Sequence, residues 1–147
     1  MDERRALAAA YRRTRYLVEL PPARTARILL DGPNTWMIDW LHDAAATPWT
    51  YLTAWNPLGR PDAPDTNRAR NTRLVAQLHE AGYRCYPGRG QPPPGEAWEA
   101  EESYWILGMS ETAGADWAVR YGQLAYLTGS GISSAALRWT GLRAAGS

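Results

Sequence analysis

Pro57 limits the folds open to this chain more than any other residue. Trp49 to Ala54 reads as a strand with apolar or β-compatible residues on both faces, and Trp55-Asn56 carries it up to the proline. Proline has no N–H to give to a sheet ladder, so the strand must close at Asn56. Gly59, Pro61 and Pro64 then hold the connection from Leu58 to Pro64 extended, and a helix is predicted from Asp65 or Thr66 to Ala81, with Gly82 as its stop. A strand running through a loop into a helix is the usual build of a binding crevice in an α/β protein.

The predicted helix sharpens that expectation. Asn67, Arg70, Asn71, Leu74, Leu78 and Ala81 follow i, i+3, i+4, i+7 spacing, so the polar trio shares a stripe with leucines that must face the core. Polar residues heading such a stripe are expected to line an inward cavity. The competing reading is that Asn67 and Asn71 satisfy buried backbone groups beside the proline-rich loop.

The flanking elements can be read in order. Leu7, Ala10, Tyr11 and Thr14 form an apolar stripe on a first helix, with Arg4, Arg5, Arg12, Arg13 and Arg15 elsewhere around it. Tyr16–Leu20 and Ala26–Leu30, separated by Pro21-Pro22-Ala23, are expected to pair as a hairpin. Asn34 is placed as the N-cap of a helix carrying Met37, Trp40, Leu41 and Ala44 and ending before Pro48. A short strand at Tyr83–Tyr86 is expected to end in a Pro87-Gly88-Arg89-Gly90 turn, followed by a proline-rich loop from Gln91 to Glu96. In the next strand Glu102, Tyr104 and Ile106 alternate with Glu101, Ser103 and Trp105, and the strand ends at Met109. Ser110 caps a helix that ends at Tyr121-Gly122-Gln123. Leu124–Thr128 and Ala136–Thr140 complete the strands, and a loose tail starts at Gly141. The expected fold is a single α/β domain over residues 1–147, with a mixed sheet, an N-terminal hairpin and helices on the sheet faces.

Composition narrows the chemistry. All sixteen basic residues are arginine, so Schiff bases, P-loop lysines and lysine general bases are excluded. The two histidines, His42 and His79, and the single Cys85 give no metal-ligand spacing, and the sequence has no Gly-X-Ser-X-Gly hydrolase elbow. No metal and no cofactor is therefore expected. A net charge of +1 supplies no general pull toward nucleic acid. The apolar runs fall far short of the roughly 20 residues of a membrane span, no signal peptide opens the chain, and a cytoplasmic setting is the default.

What is left is an amide-and-carboxylate constellation. Asn56 closes one strand, Asn67, Arg70 and Asn71 open the neighbouring helix, Glu102 begins another strand and Gln123 follows a helix end. With Thr53 and Trp55 they form the expected ligand-binding set for a polar neutral or zwitterionic small molecule. Glu102 is the candidate acid/base. The alternative is a non-catalytic interaction module, with the basic first helix and tryptophans contacting a protein or nucleic acid. Oligomeric state is open.

The same residues carry a resemblance. Tyr11-x-x-Thr14-x-Tyr16, Thr53-Ala54-Trp55-Asn56-Pro57, Asn67-x-x-x-Asn71-x-x-Leu74, Pro87-Gly88-x-Gly90, Trp98 with Glu101-Glu102-Ser103, and Tyr121-Gly122-Gln123 together resemble the bacterial domain-of-unknown-function family 3293. The resemblance spans about Tyr11 to Leu127. It implies a compact bacterial domain and adds no mechanism.

Overall fold

The computed structural model describes residues 2–146. Helix α1 (Asp2–Arg13) leads into the hairpin of β1 (Arg15–Leu20) and β2 (Arg24–Ile28). A 3₁₀ segment (Thr35–Asp39) precedes β3 (Pro48–Leu52), and a 3₁₀ turn (Pro57–Gly59) leads to α2 (Pro64–Glu80). Then come β4 (Arg84–Gln91), β5 (Glu101–Leu107), α3 (Glu111–Arg120), β6 (Ala125–Ser130) and β7 (Ala136–Trp139).

The result is the expected α/β domain with its N-terminal hairpin. The seven strands form one sheet in the order β2-β1-β4-β5-β3-β6-β7. Every neighbouring pair is antiparallel, so among the described residues the parallel pairings of a mixed sheet do not occur. The reason lies in the crossovers. The β3-α2-β4 unit leaves a gap that β5 fills, and the β5-α3-β6 unit leaves one that β3 fills. Strands alternating with helices thus produce parallel partners that never touch. This is the split β-α-β arrangement of ferredoxin-like domains.

The two faces of the sheet are both covered. On the outer face α2 and α3 bury Leu52, Leu74, Leu78, Ile106, Met109, Trp117 and Ala118. The inner face carries Tyr16, Val18, Ile28, Trp49, Tyr51, Trp105 and Leu127 and curls on itself. Gly129 lets it curl: a Cβ there would sit 2.1 Å from the Trp49 ring, which lies across its cross-strand partner.

Two local expectations are corrected. Asn34 does not cap a helix. It is fully buried, its Oδ1 accepts from Leu29 N at 2.7 Å, and its Nδ2 donates to Leu29 O and Ser133 O, so it staples the chain after β2 to the segment before β7. The helix expected behind it shrinks to the 3₁₀ segment. Asp43 Oδ1 accepts from Ala45 N and Thr47 Oγ1 accepts from Asp43 N, local bonds that compete with helix formation. Pro87-Gly88-Arg89-Gly90 is likewise strand rather than turn. Pro87 lies just beyond the β1–β4 pairing, which starts at Gly88, so its missing N–H costs that ladder nothing.

Candidate functional site

Residue size divides the inner face in two. At one end large rings fill it: Trp105 stands 4.9 Å from Trp36, 5.9 Å from Tyr86 and 6.4 Å from Trp49, centroid to centroid. At the other end β4 contributes only glycines to this face. Gly88 opposes Ser103 and Gly90 opposes Glu101. Side chains that would fill the space are missing, and a cavity of about 490 Å³ remains. That volume lies within the range of about 300–1,000 Å³ typical of small-molecule sites.

Helix α1 roofs the cavity. Its stripe of Leu7, Ala10 and Tyr11, with Thr14 just beyond, faces inward. One side of the helix is tied down by Arg4, whose guanidinium lies 4.2 Å over the Trp139 ring, and by the edge-on contact of Tyr11 with the same ring at 5.7 Å. Its C-terminal end is held by the Arg13–Glu96 ion pair, Nε to Oε2 at 3.1 Å. Two of the arginines that suggested a basic partner surface therefore fasten α1 to the body of the domain.

One wall is the loop after β3, and the amides of α2 shape it. Asn71 Oδ1 accepts from Ala54 N and its Nδ2 donates to Glu102 O, both at 2.8 Å. Asn67 Oδ1 accepts from Asn56 N at 2.9 Å, while its Nδ2 donates to Asn56 Oδ1 at 2.7 Å. Arg70 donates to Asn67 Oδ1 at 3.0 Å and pairs with Asp62 at 2.7 Å. Thr53 Oγ1 donates to Glu102 O, and Gln123 Nε2 donates to Trp55 O at 3.1 Å. These bonds hold Asn56 at φ 45°, a left-handed conformation that asparagine tolerates better than most residues. Trp55, Asn56, Pro61 and Asp62 are thereby set along the cavity wall.

The expected site residues divide accordingly. Thr53, Trp55, Asn56 and Gln123 line the cavity. Asn67, Arg70 and Asn71 do not; they form the hydrogen-bonded cluster behind the wall, which is the competing reading of the α2 stripe. Glu102 does not reach the cavity either. Strand alternation puts its exposed side chain on the α2 side of β5, and its carbonyl, not its carboxylate, is used by Asn71 and Thr53.

The carboxyl inside belongs to the neighbouring residue. Glu101 shares the inner face with Ser103 and Trp105, and among the described residues no group hydrogen-bonds its carboxyl. Burial, reinforced by the nearby Glu99 carboxylate, pushes its pKa up to about 7. The surrounding phenols are shifted the same way. Tyr11 is raised to about 12, first by burial and then by Glu101, and burial also raises Tyr16 and Tyr51. The hydroxyls of Tyr16 and Tyr51 donate to Tyr11 O at 2.6 Å and to Leu17 O at 2.7 Å. Sequence spacing did contain a pointer to Glu101. It lies on the strand face of Trp105, and the α1 stripe needs an apolar surface to cover.

A stability signature follows from Glu101. In the unfolded chain its carboxyl titrates near 4.5, so between about pH 4.5 and 7 the folded chain keeps a proton that the unfolded chain has released. Stability therefore falls as pH rises through that window. Glu101→Gln should be more stable than the parent by about 1–3 kcal/mol near pH 8, with the difference vanishing near pH 4. Urea denaturation at the two pH values measures it; an equal difference at both would contradict the placement of Glu101.

No helix among the described residues is long and apolar enough to cross a membrane, and no group of three or more His, Cys, Asp or Glu side chains there is placed to hold a metal. No curated protein and no solved structure matches the chain. A family model described as "Protein of unknown function (DUF3293)" matches residues 52–126, from the end of β3 to the start of β6. The matched span takes in the loop, α2, β4, β5 and α3 but stops short of the α1 motif. It covers just over half of the sequence, and the chain belongs to this family of proteins of unknown function.

Proposed function

We propose that this protein binds a small molecule in the cavity between α1 and the inner face of the sheet. Glu101 is the lining carboxyl whose pKa burial raises, and the rings of Tyr11, Tyr16, Tyr51, Trp55 and Trp98 form much of the cavity surface. The observation that carries this reading is the conjunction of an open, ring-lined space with a half-buried carboxyl that has no hydrogen-bond partner among the described residues. A chain optimised only for stability would fill the space with side chains, as it does around Trp105. The amides and Arg70 act indirectly, by fixing the Trp55–Asp62 wall. Glu101 rather than Glu102 takes the place of candidate acid/base.

A thermal-shift screen against metabolites tests the reading. A ligand at 100 times its dissociation constant should stabilise the fold by about 2.7 kcal/mol, which for a chain of this length is a rise of roughly 8–12 °C. Ala10→Trp, which puts an indole into the cavity from α1, should remove the shift. Hits that persist undiminished in that variant would place the ligand elsewhere.

A further inference from the structure

The cavity has a one-sided electrostatic character. Among the described residues its lining holds Asp62, Glu99 and Glu101 and not one arginine or histidine, although the chain has sixteen arginines. Asp62 is already paired with Arg70. Glu101 is not paired, and the side chains nearest to it in electrostatic terms are Glu99 from the preceding loop, Tyr11 from α1 and Tyr16 from β1. None of these is a cation.

Building on the small-molecule reading above, we infer that the site takes a ligand carrying a protonated amine on an aromatic or aliphatic body, its nitrogen facing the Glu101 carboxylate. An anionic ligand would meet two carboxylates with no compensating cation, and removing it from water would be costly. A cation gains on both counts. It supplies the missing partner for a half-buried carboxyl, and the electron-rich faces of tyrosine and tryptophan attract it further. The apolar remainder of the ligand has Leu7, Leu124 and Leu137 to cover it. Occupancy should also bias Glu101 toward its ionised form, so binding near neutral pH should release protons.

Calorimetric titration with three indole probes tests this: tryptamine, its neutral isostere 3-propylindole, and anionic indole-3-propionate. Tryptamine should bind at least tenfold more tightly than 3-propylindole, with a heat that varies with the ionisation enthalpy of the buffer near pH 6.5. Indole-3-propionate should not bind at the same concentrations. Glu101→Gln, whose folding its own denaturation curve reports, should bring tryptamine down to the level of 3-propylindole and abolish the buffer dependence. Equal binding of tryptamine and 3-propylindole by the parent, or unchanged tryptamine binding by Glu101→Gln, would overturn the amine assignment and leave the cavity reading standing. Binding by none of the three would overturn the assignment too, and together with a blank metabolite screen it would remove the site itself.

Discussion

Asn71→Leu is expected to lower the unfolding free energy by about 2–4 kcal/mol while preserving most of the side-chain volume. Asn71 is 1% exposed, and its two bonds join three elements: the loop after β3, α2 and the start of β5. Leucine keeps the shape and removes both polar atoms. Glu102 O would retain the Thr53 hydroxyl as partner, but the buried Ala54 N–H would have none. An orphaned buried donor costs about 1–3 kcal/mol, and loss of the second bond adds to it. Because the Trp55–Asp62 wall hangs from this point, the variant should also lose most of any ligand-induced thermal shift, even at temperatures where it stays folded. A loss below about 0.5 kcal/mol in urea denaturation would mean that the amide is dispensable.

Gly88→Ala should be at least as damaging, at about 3 kcal/mol or more, for a steric reason. A Cβ at position 88 would lie 2.0 Å from the Leu17 carbonyl oxygen and 3.0 Å from the Tyr51 hydroxyl, which itself donates to that oxygen. Backbone is the obstacle, so no rotamer change relieves it. β1 must move away from β4, and the sheet curvature that opens the cavity goes with it. Gly32→Ala is the control. The nearest atom to a Cβ there is Leu29 Cδ1 at 3.8 Å, so urea midpoints should separate the two variants widely. Similar midpoints would contradict the tight approach of β1 to β4.

These residues show how much of the molecule could be read from its sequence. Helix α2 and the stripe of Leu7, Ala10, Tyr11 and Thr14 follow from local rules and helical period, and the structure has them; the strand expected to run on to Asn56 instead stops at Leu52, because beyond it the Ala54 N–H goes to Asn71 Oδ1 rather than to a neighbouring strand. The antiparallel sheet was out of reach. Whether β3-α2-β4 yields adjacent or split parallel strands depends on β5, whose insertion is a long-range event. Asn34 misled for a related reason: next to a glycine-proline break it looks like a cap, but its partners Leu29 and Ser133 are brought together only when the sheet curls.

The amides and the carboxylates teach a similar lesson. Helical spacing put Asn67 and Asn71 on the buried stripe, and they are buried. Periodicity does not say whether a buried amide faces a cavity or a backbone segment, and here the open N–H groups of Ala54 and Asn56 claim both. For Glu101 and Glu102 the alternation was legible while the side bearing the cavity was not. That side is set by Gly88, Gly90 and Ser103 leaving space, which only the cross-strand register reveals.

The most direct measurement of the central claim is the ¹H–¹⁵N spectrum of the eight tryptophan indoles during titration with tryptamine and, separately, with 3-propylindole. Trp55 and Trp98 line the cavity, whereas Trp49 and Trp105 are sealed in the ring-filled half of the same face. Saturable shifts of the Trp55 and Trp98 indole N–H resonances with at least one probe, while Trp49 and Trp105 stay in place, are the predicted result. Unmoved Trp55 and Trp98 resonances with both probes, or uniform shifts across all eight indoles, would contradict a ligand site beneath α1.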